Sequence, residues 1–246
     1  MAISKPYYRI FRPGAGIDFL KDTRYCDEAN ELFRALQLLE LDLKKVFEYV
    51  EPCNKNLETY SQRLYELLLR ACTEFEASAK AILCANSYQK SPDAFTIKDY
   101  RLINKATKIS EYKVSLLSWS PEPKELQPFK AWKITHKLDW YSAYNSVKHN
   151  RFAEFNKASL NNVINAIAGV YIIIYSQINY LTISGVPHSN QFELGISDED
   201  NYQPLVNNSI FSISAPSWNN KEKYNFNWND LKKDSEPFDK YVFTNR

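Results

Sequence analysis

Glycine, methionine and histidine are scarce in this chain: five Gly, one Met and three His among 246 residues. Ordinary proteins carry about 7% Gly. So little of it argues against a strand-and-turn architecture and for helices. The three His (His136, His149, His188) have no paired ligand spacing, which speaks against a zinc site. Cys26, Cys53, Cys72 and Cys84 include no Cys-x-x-Cys pair, so buried free thiols are the expected state. Neither a metal nor a cofactor is expected. Long apolar runs are missing too. The most apolar segment, Ala166–Tyr175, ends at Ser176-Gln177 and falls well short of the ~20 residues that cross a bilayer. The N-terminal Met-Ala-Ile-Ser-Lys-Pro-Tyr-Tyr-Arg-Ile lacks a signal-peptide core. A cytoplasmic protein with no membrane association is therefore expected. Excess charge of one sign is also absent. A net charge of +2 is too small for diffuse capture of nucleic acid, so any such role needs a local patch.

What is present is a large apolar and aromatic content, 44% and 15%, enough for a sizeable core. Residues 1–26 carry Pro6, Pro13, Gly14 and Gly16 and read as an irregular arm, with a candidate strand at Tyr7–Phe11. Leu32, Leu36, Leu39, Leu43, Val46 and Val50 recur at helical spacing from Asp27 until Pro52. A second stripe, Leu57, Tyr60, Leu64, Leu67, Ala71, Phe75, Ser78 and Ile82, runs from an N-cap at Asn54 or Asn56 to about Ala85. The short link makes the two helices an antiparallel hairpin. A third helix is expected over Thr96–Thr107. A Pro-rich connection wraps the bundle over 108–128, and a fourth helix, in two pieces, starts at Pro128 and again at Leu138 or Asp139, reaching Phe155. Val163, Ile167, Val170, Ile174 and Ile178 predict the most buried helix over 159–182. Ser209–Ser214 and Tyr224–Trp228 alternate as strands do, with Asn219-Asn220-Lys221 as a turn. The expected fold class is thus all-α: an antiparallel bundle of about five helices over 27–186, with an irregular or short β-hairpin extension over 187–246.

Polar chemistry concentrates in one stretch, residues 139–152. Its inner part is Tyr144-Asn145-Ser146-Val147-Lys148-His149-Asn150-Arg151. On a helix, Tyr141, Asn145 and His149 share one stripe and Tyr144 and Lys148 the next, while Trp140, Val147 and Arg151 lie on another side. An Asn one turn before a His can hydrogen-bond the imidazole or hold a polar group beside it. Lys148 and Arg151 can neutralise a phosphate, and an imidazole among them suits acid–base work on a phosphodiester. The alternative is structural: Trp140, Tyr141, Tyr144 and Phe152 as core aromatics, with solvated cations between. Glu76 in the second helix has two readings as well, an exposed i,i+4 pair with Lys80 or a place at the edge of the core.

Asn145-Ser146-Val147-Lys148-His149 resembles the Asn-x-x-x-His part of the signature helix of HEPN domains, and a hydrophobic helix follows it directly. The upstream helix pair with Thr73-Glu74-Phe75-Glu76 resembles that family's layout over roughly residues 27–183. The resemblance implies a small helical bundle. In many members it implies a metal-independent endoribonuclease, often a toxin or defence effector of toxin–antitoxin type, whose paired protomers bring two motifs together. It would make His149 the catalytic imidazole, Asn145 its polar helper and Glu76 the acidic residue that orients the site. Lys148, Arg151 and Tyr141 would contact phosphate or nucleic acid, and a homodimer would form through the 139–152 helix. The departure is Tyr144, which stands where the family has Arg. Tyr donates one hydrogen bond and supplies no fixed cation. Other relatives lacking the full motif serve as binding or assembly modules.

Three readings follow. One is a non-catalytic HEPN-like module binding RNA, a nucleotide or a protein. A second is an active ribonuclease that depends on His149. In the third, an unrelated helical domain, the segment is structural and His149 is buried.

Overall fold

The computed structural model of the chain describes residues 2–183 and 209–244. The expected boundary at 186/187, and His188, lie outside the described residues. Four helices carry the bundle: α1 (Ala29–Phe47), α2 (Gln62–Ala85), α5 (Asp139–His149) and α7 (Leu160–Ile183). Short helical turns lie between and after them: α3 (Ile97–Tyr100), α4 (Ile103–Thr107), α6 (Arg151–Glu154) and α8 (Trp228–Leu231). The expectation of about five helices is only an approximate fit. "All-α" needs correction as well. The chain is mostly helical, but β1 (Lys113–Leu116), β2 (Lys124–Leu126) and β3 (Phe211–Ser214) form an antiparallel sheet in the order β2-β1-β3.

The apolar stripes explain the packing. In α1, Leu36, Leu39, Leu43 and Val46 are buried. In α2 the buried set is Leu64, Leu67, Ala71, Phe75, Ser78 and Ile82 together with Leu68, Cys72, Ala79 and Leu83. In α7, Val163 through Ile178 is buried almost all round, so α7 is the axial helix on which α1, α2 and α5 pack. Helix α2 starts later than its stripe suggests. Ser61 is the N-cap, its Oγ accepting from the Leu64 N–H at 3.2 Å, and Asn54–Asn56 form a separate 3-10 turn. Tyr60 accordingly falls outside the helix and is half exposed.

The third expected helix is two short ones. At its start Thr96 and Asp99 form a capping box. Burial would raise the Asp99 carboxyl, but hydrogen bonds from Lys90, Thr96 and Tyr88 outweigh it and hold the group at about 2. Cys26 and Cys72 are buried free thiols as expected, whereas Cys53 is half-buried and Cys84 exposed.

The expected C-terminal hairpin does not form. The alternating Ser209–Ser214 stretch does supply a strand over its last four residues, but β3 pairs with β1 of the wrapping connection, Val114 opposite Ile213, and lays Phe211 against Tyr171 of α7. Residues 223–225 instead meet the N-terminal arm: the Ile3 N–H bonds the Lys223 carbonyl, and the Asn225 N–H bonds the Ile3 carbonyl. The arm holds no strand at Tyr7–Phe11, only an isolated bridge from Tyr7 to Asp239. Tyr224 pins this junction. It is 1% exposed and donates from its hydroxyl to the Ile10 carbonyl at 2.6 Å. Gly14, at φ +113°, lies so close that a Cβ there would sit 2.4 Å from the Tyr224 carbonyl oxygen, which only Gly tolerates.

Strand β3 is also tied to α1. Glu40, 6% exposed, accepts from the Ser209 hydroxyl at 2.9 Å and from the Ile210 N–H at 3.3 Å. Burial pushes its carboxyl up from 4.5 to about 7, against those hydrogen bonds and Lys44. The folded chain therefore holds this proton more tightly than the unfolded chain does, and stability falls as pH rises from about 4.5 through about 7. The full shift corresponds to about 3 kcal/mol. Glu40→Gln should remove this dependence. In denaturant titrations its stability relative to the parent should rise by about that amount between pH 4.5 and pH 8, and a pH-independent difference would refute the assignment.

Candidate functional site

The polar segment falls on α5, and aromatic packing fixes where α5 sits. Trp140 is buried, its indole N–H donating to the Pro128 carbonyl at 3.0 Å. Its ring meets Phe75 of α2 at 5.2 Å and Phe129 at 5.8 Å between centroids. Gly169 of α7 makes room for both rings: a Cβ there would stand 3.3 Å from each. Phe75 also touches Tyr100, Trp132 and Tyr141.

Four of the seven sequence-derived site residues come together on the α2 side of α5. The Tyr141 hydroxyl donates to Glu76 Oε1 at 2.6 Å. One turn on, the Tyr144 hydroxyl accepts from Lys148 Nζ at 3.1 Å, and the ammonium lies 5.0 Å from the Tyr144 ring centroid. Both rings are buried, and they touch at 5.5 Å. Burial first, then the Glu76 hydrogen bond, keeps the Tyr141 phenol far above its ordinary range. Tyr100, which sequence reasoning missed, feels the same carboxylate, its phenol raised by burial and then by Glu76. The Lys148 ammonium is favoured chiefly by its Tyr144 hydrogen bond, with Glu76 adding to it. Glu76 is therefore at the edge of the core and accepts from Tyr141. The exposed pair with Lys80, the other reading of this residue, does not form among the described residues.

The remaining three diverge. Asn145 is half-buried and His149 exposed, and neither side chain has a hydrogen-bond partner among the described residues. Helix α5 stops at His149, because Asn150 adopts φ −142°, ψ 64°. Arg151 thus leaves the Trp140–Val147 stripe on which an unbroken helix would have placed it. Its guanidinium reaches the start of α2, bonding Gln62 Oε1 at 2.7 Å and stacking at 4.9 Å on Tyr65 and 5.8 Å on Phe155. Phe152, read as a candidate core aromatic, is 98% exposed. The sequence did carry a signal for this: Lys148-His149-Asn150 is a helix-stop pattern, with cations in the last turn and Asn at its end. Whatever follows escapes the helical register.

No family model, no curated protein and no solved structure matches this chain. Its chemistry has to be read from the geometry alone.

That geometry offers a buried phenol–carboxylate pair at one end of α5 and open polar groups at the other. Glu76 and His149 are separated accordingly: Glu76 binds at Tyr141, two turns before His149, which corresponds to about 12 Å of helix. Among the described residues no cluster of three His, Cys, Asp or Glu side chains is placed to hold a metal ion, and no helix is long and apolar enough to cross a membrane. Tyr141→Phe should destabilise the fold by about 1 to 2 kcal/mol, because it leaves a carboxylate at the core edge without its donor. His149→Ala should stay within about 0.5 kcal/mol. Chemical denaturation of the two variants checks both, and a large loss for His149→Ala would mean that its ring is structural after all.

Proposed function

We propose that this chain is a HEPN-like helical protein whose α5 face binds the phosphate of RNA or of a nucleotide without cleaving it. The observation that carries the reading is the state of the two groups a nuclease would need. The His149 ring is exposed with no partner to orient it, and the residue in the family's Arg position, Tyr144, already has its hydroxyl engaged by Lys148. An acid–base imidazole requires a fixed tautomer and direction; a binding imidazole does not. Lys148 is exposed, positively charged and steadied by Tyr144, and the Asn145 amide, one turn before His149, has its donors uncommitted. Together they make a small anion-binding face on a chain of low net charge. A place in a toxin–antitoxin or defence system, and pairing of two chains through this helix, belong to the same proposal.

Binding of a labelled RNA oligonucleotide, followed by fluorescence anisotropy in EDTA, tests it. Binding should weaken with salt, and Lys148→Ala should lower the slope of log K against log salt by about 0.7 to 1. The RNA should remain intact. Cleavage without added metal that is lost in His149→Ala, with unchanged melting temperature, would overturn the non-catalytic reading in favour of a ribonuclease.

A further inference from the structure

We infer that the end of α5 is a stacking platform for a single-stranded nucleic acid, with Phe152 holding an unpaired base and Arg151 its phosphate. The inference deepens the proposed phosphate-binding function and rests on it.

Phe152 is the anchor. Its ring is 98% exposed, whereas the other described phenylalanines and tryptophans are buried or half-buried. The exposed apolar side chains elsewhere among the described residues lack its surroundings. Tyr49 lies between Glu48 and Glu51 with no cation within three residues of it, and Ile134 has no ring to stack. Phe152 instead follows Lys148, His149 and Arg151 within four residues. An exposed ring next in the chain to cations offers what a base with its phosphate requires: the ring stacks and the cations neutralise.

Arg151 is pre-positioned rather than loosely solvated. Tyr65 and Phe155 flank its guanidinium, and Gln62 fixes one terminal nitrogen. That leaves the remaining N–H donors of the fork without a partner among the described residues, suited to phosphate oxygens. Tyr60, half exposed, packs on Phe155 at 5.8 Å and continues the aromatic surface beyond the guanidinium. Two carboxylates lie nearby, each engaged by another partner, although Glu66, held chiefly by Gln62 and Arg63, also feels the Arg151 charge. Glu154 pairs with Lys157 and Glu66 with Arg63. The break at Asn150 is what turns these groups outward. Had α5 continued, Arg151 would have remained on the Trp140–Val147 side, and Phe152 would have followed the helical register.

The flatness of the requirement selects the ligand. A duplex keeps its bases stacked inside and offers phosphates only, so it gains nothing from Phe152. A single strand gains both contacts.

The test compares a single-stranded RNA 12-mer with the duplex of the same sequence, using the full chain and anisotropy at fixed salt. The single strand should bind at least tenfold tighter. Phe152→Ala should lose roughly tenfold for the single strand while leaving duplex affinity and melting temperature unchanged, and Phe152→Trp should retain single-strand binding. Lys148→Ala should weaken both ligands. If Phe152→Ala leaves single-strand affinity intact while Lys148→Ala reduces it, the platform is wrong and the phosphate-binding reading survives. Binding of neither ligand removes both. If Phe152→Ala instead dissolves a dimer seen by sedimentation, a second copy of the chain covers the ring, and the platform is likewise overturned.

Discussion

The contact on which the rest of this molecule depends is the aromatic junction of Phe75, Phe129 and Trp140 against the bare backbone at Gly169. Phe75 of α2, Phe129 of the turn that precedes α5 and Trp140 of α5 contact one another, and the last two lie over α7 where Gly169 offers no side chain. Ring pairs of this kind add to simple burial through edge-to-face geometry. Here they also set the position of a whole element. Helix α5 is only 11 residues long, too short to hold itself as a helix in water, and its placement comes from Trp140. Everything polar on α5 inherits that placement.

From the junction the segment divides. Its first two turns face α2 and are closed: Tyr141 is committed to Glu76, and Tyr144 to Lys148. Its last turn and the break behind it are open, with His149 and Phe152 turned to solvent and Arg151 laid against Tyr65 and Phe155. Closure at one end gives rigidity, and openness at the other gives a surface. The same helix is thereby part core and part exposed surface, with the Glu76 carboxylate at Tyr141 and the His149 imidazole about two turns apart.

A second organising constraint lies on the opposite side of the chain order. The N-terminal arm and the C-terminal segment fold onto each other around Tyr224, while β3 is fastened to α1 through Glu40 and to β1 through its ladder. These contacts join residues from about a hundred to more than two hundred positions apart. A two-stranded hairpin made only of local pairs would have buried too little to persist. Pairing β3 with a strand that already wraps the bundle gives it a hydrophobic floor on α7.

The helices were legible because periodicity is local. The stripes in α1, α2 and α7 are buried along their middles as spacing suggests, failing at Leu32, Val50, Leu57 and Tyr60 near or beyond the helix ends, and the apolar circumference of α7 marks it as the most buried helix. The i,i+4 relation of Tyr144 and Lys148 follows from the 3.6-residue turn alone. What spacing could not provide was any relation between elements. The partner of β3, the grip of Tyr141 on Glu76, and the clasp of Arg151 between Tyr65 and Phe155 each depend on where a distant segment lies. Phe152 lies beyond a backbone break at Asn150, which the helix-stop residues signalled but a continuous helical wheel overrode. The sequence by itself determined which faces are apolar and where polar chemistry concentrates, since both are written in residue order. Only tertiary structure decided which of those polar groups were consumed in packing and which remained open, because burial is a property of neighbours and not of the residue.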